Sequence, residues 1–298
     1  MFKRLLVPLD GSRLAEAALL PAVYLATNLN APVVLLHVIE KNAPEAIHGE
    51  RHLTDPEGAQ AYLAEIAGRF FPPNIKVESH VHTSEVSNVP KSIVEHIAEF
   101  SPDLIIMCAH GEGGLRDFFF GSIAQQVIGR GDTPVLLIQP GESEKQPSFS
   151  LRMIMVPLDG NPQHEEGLPL ASQLAQACSA SLHLLMVIPT LGTLKSQPAA
   201  TGLFLPASMR AMLDLAEEDA EEYLRSQANK LHPQVTAITA SVSRGDPAAA
   251  IANVSKAAAA DMILLSTHGK AGQDAFWSSS VAPKVSSLTD IPLLLVPV

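Results

Sequence analysis

An apolar run ending in Pro-Leu-Asp-Gly occurs twice in this chain. Leu5-Leu6-Val7-Pro8-Leu9-Asp10-Gly11 returns 149 positions later as Ile154-Met155-Val156-Pro157-Leu158-Asp159-Gly160. A period this long means that a whole folding unit is repeated. Two later phrases recur at an offset of 158: Asp103 through His110-Gly111 matches Asp261 through His268-Gly269, and Asp132-Thr-Pro134 with its apolar run matches Asp290-Ile-Pro292 with its own. The extra residues fall between the repeated phrases, where the Pro- and Gly-containing stretch 189–206 replaces the shorter stretch 40–54. With 298 residues, two domains of ordinary size fit. The boundaries expected are 1–140 and 151–298, joined by the polar, aperiodic stretch 139–150.

Within each half, short apolar runs alternate with stretches whose apolar residues recur at three and four, which is the signature of βαβ units and a parallel sheet. In the first half the strands are expected at 4–9, 32–39, 75–82, 103–108 and 134–138. Four of these are nearly solid apolar, as strands buried on both faces should be. The third alternates, which places it near an edge. Helices are expected at about 13–29, 56–70, 90–100 and 121–130, with Pro21 kinking the first and Thr54 or Asp55 before Pro56 opening the second. In the second half Asn161-Pro162 and Asp246-Pro247 open helices in the same way.

Composition narrows the function. Lys and Arg number 20 against 31 Asp and Glu, a formal net charge of −11, so nucleic acid and anionic lipid are repelled. No apolar run approaches the roughly 18 residues of a membrane span. Lys3 and Arg4 precede an apolar stretch, but Pro8, Asp10 and Arg13 interrupt it too early for a secretory signal. The two cysteines, Cys108 and Cys178, suit a reducing compartment, so the expected location is the cytoplasm.

In open parallel sheets, ligands bind at the carboxyl ends of the strands. Asp10 follows the first strand directly and reads either as a cap or turn residue or as a carboxylate that accepts ribose hydroxyls. His37-Val38 ends the second strand, where a core imidazole is the default. After the fourth comes Cys108-Ala109-His110-Gly111, then nine residues, then Gly121-Ser122 opening a helix. Such a glycine lets backbone N–H groups approach an anion, and a helix N-terminus offers free donors. A tight surface loop accounts for the same glycines. The spacing is neither Walker A nor Gly-x-Gly-x-x-Gly, since Arg116 stands where the third glycine belongs. His48-x3-His52 has metal-ligand spacing but lies in a loop stretch and reads as a solvated pair. His80 and His82 share one face of a strand, with no cysteine partner close in sequence. Ser266, His268 and Ser280 have no Gly-x-Ser-x-Gly elbow, and the acidic run 217–222 reads as a solvated helix face.

At 108–122 the sequence resembles the universal stress protein family, whose nucleotide-binding branch carries Gly-x2-Gly-x9-Gly-Ser/Thr after its fourth strand. This chain has Cys108-x2-Gly111-x9-Gly121-Ser122. Val-Pro-Leu-Asp-Gly at 7–11 and 156–160, His37-Val38, Gly245-x-Pro247 and Thr133-Pro134-Val135 agree, and the likeness covers both halves. The resemblance implies an α/β fold of two Rossmann-like domains, similar to adenine nucleotide alpha hydrolases, each a parallel sheet of order 3-2-1-4-5 flanked by helices. It also implies an adenine nucleotide site in the first half, for ATP or for AMP or ADP, with Mg2+ for a triphosphate. Asp10 would hold the ribose and the backbone around Val38 would face adenine. Gly111, Gly121, Ser122 and Ile123 would hold phosphates, and Pro8, Cys108 and His110 would complete the site. Cys108 replaces the motif's first glycine, and a Cβ on left-handed backbone there would cost roughly 1–2 kcal/mol. Glu112 follows His110-Gly111 where ATP-binding members often carry Lys or Arg. The second half reads Ser266-x2-Gly269-x9-Ser279-Ser280, an eroded site to which Asp159 and Val187 would also belong.

The reading that follows is a nucleotide-binding regulatory module of stress response, working mainly through the first half. The alternatives are an interaction scaffold with both clefts empty, and a slow ATPase with His110 as base. No metal ligand set of the protein's own is expected. The final strands, Val135–Ile138 and Leu293–Val296, are apolar edges without a blunting charge. As between subunits of single-domain family members, they are expected to pair with each other, making the chain an internal pseudo-dimer; the twelve-residue linker spans up to roughly 40 Å. Homodimerisation of whole chains stays open.

Overall fold

The computed structural model describes residues 2–43, 46–47, 50–109, 122–139, 148–194, 205–235, 237–267 and 281–298. The chain divides into two compact units. One holds the first 150 residues together with the last strand, and the other holds Leu151–Ser266 together with Val281–Thr289.

In the first unit, strands β1 (Leu5–Pro8), β2 (Val33–Glu40), β5 (Val77–Val86), β6 (Leu104–Cys108) and β7 (Val135–Ile138) lie in the order β5-β2-β1-β6-β7, all parallel. A two-strand antiparallel ribbon, β3 (Ala46–Ile47) and β4 (Glu50–Arg51), is separate from this sheet. Leu5, Leu6, Val7, Leu35, Leu104 and Leu136 are buried, as strands covered on both faces require. β5 lies at the sheet edge and is half-buried to exposed along its length, the position its alternating sequence predicts.

The first helical stretch breaks in two, α1 (Arg13–Glu16) and α2 (Leu19–Leu29). The break falls at Ala17-Ala18, ahead of Pro21 rather than at it, so that Pro21 sits in the first turn of α2, where no helical N–H is lost. Asp55 caps α3 (Pro56–Phe70) by accepting from the Gly58 N–H at 2.6 Å, and Asn88 caps α4 (Val89–Phe100) by accepting from the Lys91 N–H at 2.9 Å. α5 (Ser122–Arg130) follows.

The second unit repeats the arrangement as β10 (Ile238–Arg244), β9 (Ser181–Ile188), β8 (Met153–Leu158) and β11 (Met262–Thr267), in that order and parallel. Asn161-Pro162 opens a short 3-10 turn (Pro162–Glu166) leading into α6 (Gly167–Cys178). The inserted stretch feeds a 26-residue helix, α7 (Pro206–Leu231). α8 (Pro247–Ala257) and α9 (Ala282–Leu288) follow. The repeat extends to single side chains. Asp103 accepts from the Lys3 and Arg4 N–H groups, and Asp261 accepts from the Arg152 and Met153 N–H groups, each stitching the start of its unit's first strand to the start of the fourth.

The final strand, β12 (Leu293–Pro297), belongs to the first unit. There it pairs antiparallel with β7, in the register Leu293↔Leu137, Leu294↔Leu136, Leu295↔Val135. The apolar edge of β7 is thereby covered.

Candidate functional site

β1 is bordered by β2 on one side and β6 on the other, so a crevice opens past their carboxyl ends, at the point where the connections diverge. Pro8, Asp10, Val38, Cys108 and Ile123 all line this cleft. Of the other residues expected at the site, Ser122 is placed as the first residue of α5, while His110, Gly111 and Gly121 lie outside the described residues.

The turn after β1 shapes the cleft's acidic corner. Gly11 has φ +92°, a conformation that L side chains rarely adopt, and a Cβ there would stand 2.7 Å from Leu53 Cδ1. Asp10 Oδ1 accepts from the Ser12 N–H at 2.8 Å and from the Ser12 hydroxyl at 2.7 Å. Ser12 Oγ in turn accepts from the Ala15 N–H at 3.2 Å, so Ser12, not Asp10, is the helix cap. Asp10 therefore spends one oxygen on the turn. Its Oδ2 has no hydrogen-bond partner among the described residues, and Asp10 lines the crevice, where this oxygen can accept from a ligand hydroxyl.

His37 is 1% exposed, and its ring bridges two carbonyls, with Nδ1 2.8 Å from Leu9 O and Nε2 3.0 Å from Leu53 O. It is a structural tie, as its position in a solid apolar strand predicts, holding the segment around Leu53 across the Asp10-Gly11 turn. The floor of the cleft is apolar, with Leu36, Val38, Ile93 and Met107 among its residues. Asp10 and Glu40 are the charged side chains among the described lining residues, and no Lys or Arg is among them. Burial, followed by the negative charges of Glu16 and Asp10, pushes the Tyr62 phenol well above its ordinary value, so Tyr62 stays protonated and donates to Glu16 at 3.3 Å. α5 begins at this rim, and the N–H groups of its first turn have no helical partner.

One residue of the cleft escaped the sequence reading. His52 is not a solvated loop histidine: it is 6% exposed, lines the cleft, and its Nδ1 has no hydrogen-bond partner. A buried imidazole nitrogen left unpaired is costly unless something else reaches it. Its burial depends on the His37–Leu53 tie one residue away, a contact between stretches that nothing in the local sequence announces.

The second unit's counterpart is arranged differently. Asp159 Oδ1 accepts from the Asn161 N–H at 3.0 Å, but Oδ2 also accepts, from His164 Nδ1 at 2.8 Å. Ser266, matching Cys108, donates its hydroxyl to His164 O at 2.7 Å and is used within the fold. Val187 lies half-buried on β9. Beside it, Met186 and Ile188 pack with Met209 and Leu213 of α7, so apolar side chains gather where β9 ends. Gly269, Ser279 and Ser280 lie outside the described residues.

Among the described residues no helix is long and apolar enough to cross a membrane. The sequence model of the Universal stress protein family matches residues 1–139 and 151–297. A universal stress protein of Mycolicibacterium smegmatis is 23% identical over 319 residues, spanning 98% of this chain and 96% of its own. One of Synechocystis is 31% identical over 138 residues, 46% of this chain and 86% of its own. Among solved structures, a universal stress protein from Archaeoglobus fulgidus superposes with a TM-score of 0.70 at 16% identity, covering 99% of this chain and 96% of that one. One from Pseudomonas aeruginosa gives 0.67 at 15% identity, covering 99% and 93%. With both halves matched by the family and the order β5-β2-β1-β6-β7 in the first unit, this chain belongs to the universal stress protein family.

Proposed function

We propose that the first unit binds an adenine nucleotide in the cleft past β1, β2 and β6, and that the protein acts in stress response as a regulatory module rather than a catalyst. The observation that carries this reading is the convergence at one crevice of a carboxylate with a free oxygen at Asp10, an apolar floor, and the open first turn of α5. Asp10 Oδ2 accepts from the ribose hydroxyls. The base lies over the Val38 side of the floor, within reach of His52. The phosphates lie toward Ser122 and Ile123, with Gly111 and Gly121 supplying backbone donors. Pro8, Cys108 and His110 complete the wall, and Asp159, Val187, Ser266, Gly269, Ser279 and Ser280 form at most a vestigial second site. With no cation among the described lining residues, a triphosphate needs Mg2+ to neutralise it. The cytoplasm is the proposed location, consistent with a chain that has only two cysteines, one in each half. The pairing of β7 with β12 supports an internal pseudo-dimer.

The experiment is to purify the protein without added nucleotide, denature it, and analyse the supernatant by chromatography. Released AMP, ADP or ATP at a substantial fraction of the protein concentration supports the reading. A scaffold with empty clefts gives none, and a slow ATPase gives ATP that converts to ADP on incubation.

A further inference from the structure

On the side of the first unit where side chains of α4 reach β5, three histidines meet. His80 and His82, two residues apart on β5, point to the same face, and the ring of His96 on α4 lies 4.9 Å from that of His80 and 5.0 Å from that of His82. His96 is 4% exposed. Its Nδ1 stands 2.7 Å from the carbonyl oxygen of Ser92, one turn back on the same helix. A carbonyl can only accept, so this nitrogen carries the proton, and the lone pair is on Nε2. Histidines that ligate metals are oriented in this way, with the second nitrogen donating to a backbone carbonyl. The Nε2 of His96 lies 3.8 Å from Glu99 Oε2, too far for a hydrogen bond. One ligand atom each from His80, His96 and Glu99 all lie within 4.8 Å of one another.

We infer that His80, His96 and Glu99 bind a divalent transition-metal cation of the zinc class, with the His82 ring placed beside them. Two imidazoles and a carboxylate are donors for zinc, cobalt or nickel rather than calcium or magnesium. Bonds of about 2.0–2.2 Å place the donors of a tetrahedral site roughly 3.3 Å apart, so the three must close inward. Glu99, with 57% of its side chain exposed, has room to do so, and His96 is the fixed post. The separation of 16 residues between His80 and His96 hides the cluster from any spacing rule and requires α4 to lie on the β5 face. A cation here ties the edge strand to α4, whose first two turns contribute Val89 and Ile93 to the cleft described above, but the site is independent of nucleotide binding.

The test uses the full, untagged chain stripped of metal by a chelator. Zn2+ is titrated calorimetrically and Co2+ by visible absorption. The expected result is one saturable site with the intense visible bands of tetrahedral or five-coordinate cobalt. His80→Gln and Glu99→Gln, both at positions with solvent access, should each lose more than the roughly 10- to 100-fold typical of an outer-shell partner, while the melting temperature of the metal-free chain stays unchanged. Zn2+ binding to the double variant H80Q/E99Q with wild-type affinity, or no stoichiometric binding by the wild-type chain at micromolar Zn2+, would overturn the assignment.

Discussion

The carboxylate of Asp159 is held by His164, Oδ2 to Nδ1, at 2.8 Å, and among the described residues of the first unit this bond has no counterpart. The residue 149 positions before His164 is Ala15, which cannot reach Asp10. The two repeats thus keep the same aspartate but leave its second oxygen free in one unit and occupied in the other. Asp10→Ala should weaken adenine nucleotide binding by about 10- to 100-fold, the worth of a hydrogen bond to a charged group, roughly 1.5–3 kcal/mol. Asp159→Ala should leave it within about twofold. Calorimetry on the two variants checks this, and equal losses would contradict the asymmetry.

His52 should show effects of opposite sign on stability and on affinity. Its Nδ1 is buried and unpaired, so His52→Phe removes an unsatisfied group whose burial costs about 1–3 kcal/mol. The nucleotide-free melting temperature should rise. Affinity should fall by about tenfold, because a hydrogen bond to the ligand is lost. A drop in both would mean that His52 only packs.

Acid should weaken the second unit through His183. Its ring bridges Thr239 Oγ1 at 2.7 Å and Ser241 Oγ at 2.8 Å across the β9–β10 pair, and burial lowers its pKa from the ordinary 6.5. A histidine with a depressed folded pKa binds fewer protons folded than unfolded. Its contribution is therefore complete above about 6.5 and is lost as pH falls through that value toward the folded pKa. His183→Gln should flatten the decline in melting temperature between about pH 6.5 and 5. An unchanged slope would assign the pH response to another group.

The β7–β12 pairing should survive cutting the chain. Leu136 and Leu294 face each other at its centre, and each is at most 1% exposed. After cleavage at an engineered site between Gln139 and Ser150, the two fragments should co-elute in gel filtration. Leu136→Lys or Leu294→Lys should separate them, because a buried unpaired ammonium costs several kcal/mol. Separation of the unmutated fragments would contradict the pairing.

Much of this was legible in the sequence because strand ends and repeats are local. The solid apolar runs at Leu5 and Leu104 announce buried parallel strands, the alternation over Val77–Val86 announces an edge, and Asp55-Pro56 announces a helix start to the residue. The rest depended on contacts between distant stretches. Pro21 broke no helix because Ala17-Ala18 had already done so. His52 looked solvated because the tie of His37 to Leu53, beside which it is buried, joins stretches distant in sequence. The cluster of His80, His96 and Glu99 joins residues 16 and 19 positions apart, which no spacing rule brings together. The double role of Asp10, turn acceptor and open carboxylate, needed the two Ser12 bonds to be seen.

Adenine nucleotide binding by the first unit is tested most directly by a thermal melt of the nucleotide-free chain with and without Mg-ATP. At about 100 times the dissociation constant, the ligand adds roughly 2.7 kcal/mol, and the melting temperature should rise by several degrees. Asp10→Ala should abolish most of that rise and Asp159→Ala none of it. A melting curve unmoved by millimolar Mg-ATP, ADP and AMP would contradict the account.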